Sequence, residues 1–142
     1  MTVITPGYTI LDHTADLGII VRENDLSDLF EHAGMALMHL MLNVKSSKRS
    51  GVMKISVSGV DLEDLMVRWL GEILYLFEGE NLVVAAITID SLYGPELEAT
   101  LKTADFDPRI HEPIREIKAV TYHQIEVAEK GGMWEARVIF DL

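Results

Sequence analysis

Two acidic segments stand at opposite ends of this 142-residue chain. Near the start lies Asp12-His13-Thr14-Ala15-Asp16, and at the finish Asp141 precedes Leu142. Carboxylates are hard donors, and divalent cations such as calcium, magnesium or manganese collect several oxygens at once from carboxylates, carbonyls and water. One short segment rarely supplies enough. Asp16, Asp141 and the main-chain α-carboxylate of Leu142 together would, with Asp12, His13 and His123 as possible support. A plainer reading competes with this one. Aspartates are common at turns because they bond to nearby backbone groups, and a last strand can carry one solvated Asp.

Lys118 is the next residue with two readings. A solvated charge on an edge strand is the ordinary one. The other is a cation that offsets a carboxylate cluster or contacts a phosphate. His111 and His123 are isolated, and no His-x-x-His or His-Glu-x-x-His spacing supports zinc. The chain has no cysteine, so thiolate metal sites, disulfides and a cysteine nucleophile are excluded. A Gly-x-x-x-x-Gly-Lys phosphate loop, a Gly-x-Gly-x-x-Gly fingerprint and a Gly-x-Ser-x-Gly elbow are all missing from the sequence. Met35, Met38 and Met41 have partly helical spacing and read as core or helix flank rather than a binding groove, unless Met38 is exposed.

The elements that must position these groups follow from periodicity. Residues 8–11 and 18–22 read as short strands flanking the 12–16 cluster. Leu26, Leu29, Phe30, Ala33, Leu37, Leu40, Met41 and Val44 fall at helical spacing, with Asp25 as a cap. Residues 45–50 form a basic, Ser-rich loop. Alternation over 54–59 gives a strand with Ile55 and Val57 on its apolar face. Asp61, with Asp64 three residues on, caps a second helix carrying Leu62, Leu65, Met66, Trp69, Ile73, Leu76 and Phe77 and ending near Gly79. Strands follow over 82–91, 96–104, 117–127 and 134–142. Tyr93-Gly94-Pro95 turns between the first two of these, and Gly131-Gly132 signals a hairpin between the last two. The expected fold is α+β: a single domain over 1–142 with about two helices packed on mostly antiparallel β structure of six or seven strands.

Bulk properties narrow the function. Hydrophobic residues make up 49% and charged ones 25%, a globular composition with room for a core. Twelve basic against 23 acidic residues leave a formal charge of −11. Phosphate affinity rests mainly on Lys and Arg, so direct nucleic-acid binding is disfavoured, whereas divalent cations or a basic protein partner suit the surface. No apolar run approaches the roughly 20 residues that span a bilayer. Met1-Thr2-Val3-Ile4-Thr5-Pro6 lacks a basic region followed by a long apolar one, so no secretory signal and no membrane association are expected, and a cytoplasmic location fits best.

Two segments say more than composition. His13-Thr14-Ala15-Asp16-Leu17-Gly18-Ile19, and Lys118-Ala119-Val120-Thr121-Tyr122-His123 together with Ala136-Arg137-Val138-Ile139-Phe140-Asp141-Leu142, resemble the archease family. His111-Glu112-Pro113 lies ahead of the Lys118 segment as in that family, and the likeness runs from about Tyr8 to the end. The resemblance implies a protein cofactor rather than an enzyme. Such a protein activates an RtcB-type RNA ligase, which joins 2′,3′-cyclic-phosphate or 3′-phosphate ends to 5′-hydroxyl ends in tRNA splicing and RNA repair. It does so by promoting guanylylation of the ligase from GTP and multiple turnover, with GTP engaged only through the ligase. By the same resemblance Asp16, Asp141 and the C-terminal Leu142 hold a divalent cation, and Lys118 is the functional lysine. Two other functions compete: a small metal-dependent phosphoester hydrolase, and a general chaperone or modifier of RNA-processing enzymes.

Overall fold

The computed structural model describes residues 2–5, 7–12, 16–44 and 51–142, with only the backbone described for 2–5, 12 and 44. In chain order these form β1 (Thr2–Thr5), β2 (Tyr8–Asp12), β3 (Asp16–Glu23), α1 (Leu26–Met41), β4 (Leu42–Val44), β5 (Gly51–Ser58) and α2 (Leu62–Glu80). The strands β6 (Leu82–Tyr93), β7 (Glu96–Asp105), β8 (His111–Pro113), β9 (Ala119–Val120), β10 (Glu126–Lys130) and β11 (Met133–Asp141) complete the order. The architecture is α+β with every strand pair antiparallel, and both helices contact both larger sheets. One sheet runs β1-β2-β3-β11-β10, with β9 also on β11; the second runs β5-β7-β6; β4 and β8 form a small ribbon.

Helix α1 forms because its apolar positions recur every three to four residues and all meet the core. Leu29, Phe30, Ala33, Leu37, Leu40 and Met41 are buried along it. Asp25 occupies the N-cap with extended backbone, and its carbonyl accepts from Leu29 N–H at 3.0 Å, while its side chain makes no capping bond. Val44 sits at helical spacing, yet the helix stops at Met41. Leu42 is extended, and Leu42, Asn43 and Val44 pair instead with Pro113, Glu112 and His111. Tertiary pairing outweighs the last turn of helical periodicity here, and extended backbone suits a β-branched Val. Met38, whose exposure would have hinted at a groove, is fully buried.

Helix α2 starts as its sequence implies. The Asp61 side chain accepts from Asp64 N–H at 2.8 Å, satisfying one orphan donor. It ends at Asn81, which adopts φ +56° and donates to the Phe77 carbonyl at 3.2 Å. Trp69 is fully buried, and its indole N–H donates to the Phe30 carbonyl at 2.8 Å, tying α2 to α1. A single cluster of buried side chains joins these helices to β3, β6, β7 and β11.

The strands exceed the seven expected because β1, β4 and β8 are short pairings with weak alternation, and because residues 117–127 are not one strand. That stretch divides into β9 and β10, both along the same edge of β11, separated by a turn in which Gln124 adopts φ +52°. The two glycine signals hold: Lys130 pairs Met133 across Gly131-Gly132, at φ +59° and +83°, and Tyr93 pairs Glu96 across Gly94-Pro95.

Candidate functional site

The register of β3 against β11 decides the site's geometry. Ala136 faces Val21, Val138 faces Ile19 and Phe140 faces Leu17, and all six are buried against the helices. Side chains alternate along a strand, so the intervening pairs Arg137–Ile20, Ile139–Gly18 and Asp141–Asp16 share the opposite face. Asp16 and Asp141, 125 positions apart in sequence, are therefore direct cross-strand partners at one end of the sheet. Their Cβ atoms stand about 5 Å apart, as directly opposed residues do. Asp141 is exposed and Asp16 half-buried, and among the described residues neither carboxylate forms an ion pair.

Lys118 reaches the same place from the other side of β11. Ala119 pairs with Asp141, and the Lys118 N–H donates to the Asp141 carbonyl at 2.8 Å. The Lys118 side chain is exposed, and Leu142 follows at 36% exposure. Three of the residues singled out from sequence, plus the terminal Leu142, thus converge at one sheet end. Asp12 pairs through its backbone with Leu17. Its side chain and the whole of His13 lie outside the described residues.

After β9 the chain turns over the outer face. Thr121 donates to the Ile139 carbonyl twice, from N–H at 3.0 Å and from the hydroxyl at 2.8 Å. His123 and Gln124 then line a hollow of about 290 Å³ together with Asp16 and Ile139. His123 and Asp16 thus lie along the same hollow. His111 is elsewhere: it is buried in the β4–β8 ribbon, its Nδ1 accepts from Asp107 N–H at 2.9 Å, and its ring stacks on Phe106.

Sequence inspection missed the groups that hold this turn. Tyr122 donates its hydroxyl to Asp64 Oδ1 at 2.6 Å, and Asp64 Oδ2 accepts from Val60 N–H and Arg68 Nε, each at 2.9 Å. The Tyr122 hydrogen bond, then those of Val60 and Arg68, hold the Asp64 carboxyl below its ordinary value against the opposing effect of burial. The same bond pushes the Tyr122 phenol up. The adjacent Glu63 accepts from Val127 N–H at 3.1 Å. Asp64 in a helix's first turn resembles an ordinary cap, so its link to a residue 58 positions away left no trace in the sequence. Farther along the outer face, Glu135 lies between Arg22 at 2.6 Å and Lys130 at 2.9 Å, and Lys130 also pairs with Glu126. Burial pushes the Glu135 carboxyl up, but the Lys130 and Arg22 bonds prevail and hold it low.

Two opposed carboxylates, neither of which forms an ion pair among the described residues, repel each other, and a hard cation relieves that repulsion. The donor set at this sheet end suits such an ion in kind. Among the described residues, no three His, Cys, Asp or Glu groups meet as a ready ligand set, so any ion held here also draws on main-chain oxygens, water or a partner.

The sequence model of the Archease protein family matches residues 8–142. The chain belongs to the archease family. It is 32% identical to the archease of Methanosarcina acetivorans over 95% of each chain, and 35% identical to that of Pyrococcus furiosus, covering 92% of this chain and 95% of the other. The solution structure of protein 1598 from Methanobacterium thermoautotrophicum superposes with a TM-score of 0.79 at 28% identity, over 96% of this chain and 99% of that one. An archease crystal structure from Thermotoga maritima, described as a possible chaperone, gives 0.63 at 23% identity over 93% and 94%, a likeness of fold alone. Among the described residues no helix is long and apolar enough to cross a membrane.

Proposed function

We propose that this archease-family protein activates an RtcB-type RNA ligase in tRNA splicing and RNA repair, promoting its guanylylation from GTP and its multiple turnover. In this reading Asp16 and Asp141, aided by the Leu142 α-carboxylate, hold a divalent cation: calcium, magnesium or manganese. The observation that carries it is the cross-strand pairing of Asp16 with Asp141, with Lys118 bonded to the Asp141 carbonyl beside them. When bound, such a cation would neutralise the carboxylates and supply electrostatic stabilisation of phosphate charge. The chain's own residues do the rest. The β3–β11 pairing fixes the spacing of the two carboxylates, and the exposed Lys118 offers a phosphate contact at the same end.

The charge of −11 supports a division of labour in which the ligase contacts RNA and GTP and this protein does not. The sequence also lacks a phosphate loop of its own, which suits work through the ligase's pocket, inside the cytoplasm.

Multiple-turnover ligation tests the reading. Asp16→Ala, Asp141→Ala and Lys118→Ala should each abolish stimulation of the ligase while leaving the circular dichroism of the protein, and its melting in chelator, close to wild type. One residue added after Leu142 displaces the α-carboxylate by about 3.3 Å and leaves every side chain in place; it should weaken stimulation too. Full stimulation by the three alanine variants would refute the site. Phosphoester hydrolysis by the protein alone would favour the hydrolase reading, and stimulation of unrelated enzymes that survives Asp141→Ala would favour a chaperone.

A further inference from the structure

The turn between β9 and β10 is held on three sides. Thr121 fixes its start to the Ile139 carbonyl through two hydrogen bonds, and Ile125 N–H closes it onto the Tyr122 carbonyl at 3.3 Å. From α2, the consecutive residues Glu63 and Asp64 grip both flanks, Val127 N–H on one and the Tyr122 hydroxyl on the other. The result is a non-glycine residue, Gln124, in left-handed backbone at φ +52°. That conformation costs on the order of 1 kcal/mol for an L-residue and persists only where the surroundings over-determine it. Its neighbours in space are telling. Gln124 lines the hollow that contains Asp16 and His123, and also an adjoining hollow of about 430 Å³ with Ile125, Glu126, Lys130 and Arg137.

Tyr122 itself is 56% exposed, so hydrophobic burial does little to anchor it. Its hydroxyl nonetheless makes a short bond to a carboxylate that is 8% exposed and already engaged by Val60 and Arg68. A charge-assisted bond of this kind, with its acceptor fixed by two other donors, sets direction as well as distance.

We infer that the Tyr122–Asp64 hydrogen bond is a positioning device for the cation site: it presses the 121–125 turn onto the end of β11 so that His123 and Gln124 wall the hollow over Asp16. Tyr122 and Asp64 touch no ligand themselves. They act through the turn, and the inference rests on the reading of Asp16 and Asp141 as a cation site.

The test uses manganese alone as the probe, on the full chain without ligase. Removing the hydroxyl in Tyr122→Phe should weaken Mn²⁺ binding about five- to tenfold in protein that remains fully folded at the assay temperature. Asp64→Asn has one accepting oxygen for donors that now reach both, so it should weaken Mn²⁺ binding by a similar factor in folded protein. A purely structural role would lower the melting temperature of Tyr122→Phe and leave the Mn²⁺ affinity of the folded protein unchanged, and that result would overturn the inference. Amide exchange separates this from failure of the cation reading. In Tyr122→Phe the Thr121 and Ile125 amides should exchange about five- to tenfold faster than in wild type, whether or not Mn²⁺ binds. Unchanged exchange there refutes the brace, whereas faster exchange in a protein that never bound Mn²⁺ refutes the cation site and leaves the brace standing.

Discussion

Replacing Asp16 by Asn removes one charge from the opposed pair and keeps the side chain's size. Taking the Cβ spacing of about 5 Å as the separation of the two charges, repulsion between them is roughly 0.8 kcal/mol at the dielectric of water and roughly 3 kcal/mol at an effective value of 20. Asp141 is exposed and Asp16 half-buried, which puts the pair near the lower figure, about 1 kcal/mol. In chelator, Asp16→Asn should therefore be the more stable protein, melting about 3 °C above wild type for a chain of this length. Divalent cation reverses the order. At a thousandfold excess over its dissociation constant, the ion stabilises wild type by about 4 kcal/mol, or about 12 °C, and the variant by far less. Scanning calorimetry with chelator, magnesium, calcium and manganese reads both effects. A variant that melts below wild type in chelator, or gains as much from the cation, would refute the idea that the two carboxylates repel one another and share an ion.

Other consequences can be checked more briefly. A Cβ at Gly59 would lie 2.6 Å from Leu65 N and 2.9 Å from Leu65 Cα, both backbone atoms at the start of α2. Gly59→Ala should cost about 1–3 kcal/mol in urea unfolding, because neither atom can swing away. Trp69→Ala empties a fully buried site and removes the bond to the Phe30 carbonyl; about 3–5 kcal/mol should be lost, seen as a lower urea midpoint at unchanged slope. Asp64 has a folded-state pKa below its ordinary 3.8, so its stabilising contribution is complete above that value and disappears as pH falls through the lowered one. The stability difference between wild type and Tyr122→Phe should be constant near neutral pH and shrink below pH 3.8, measured by urea titration across pH.

Much of this architecture was legible because local chemistry and tertiary structure agree. Asp61 and the apolar spacing from Leu62 to Phe77 define α2, and the Gly131-Gly132 hairpin sits between strands of evident alternation. The reading failed where distant partners decide. Val44 looks helical until β8 is there to pair with it, and residues 117–127 look continuous until Thr121 and Asp64 bend the chain at Gln124. The site was legible only in its acids. No periodicity places Asp16 opposite Asp141, because that register belongs to a pairing across 125 positions; the family's motif at both ends was the sole sequence clue. Tyr122 stood within that motif, yet its partner Asp64 lay hidden as a helix-start residue.

Guanylylate formation on the partner ligase is the most direct test of the central claim. Purified RtcB-type ligase, labelled GTP and a divalent cation are mixed with wild-type protein or with Asp141→Ala, and the covalent ligase–nucleotide adduct is counted over time. The expected result is rapid adduct formation, sustained over repeated ligation cycles, with wild type, and a return to the unassisted ligase rate with the variant. Equal rates with both proteins would contradict the assignment of the Asp16–Asp141 pair as the activating site.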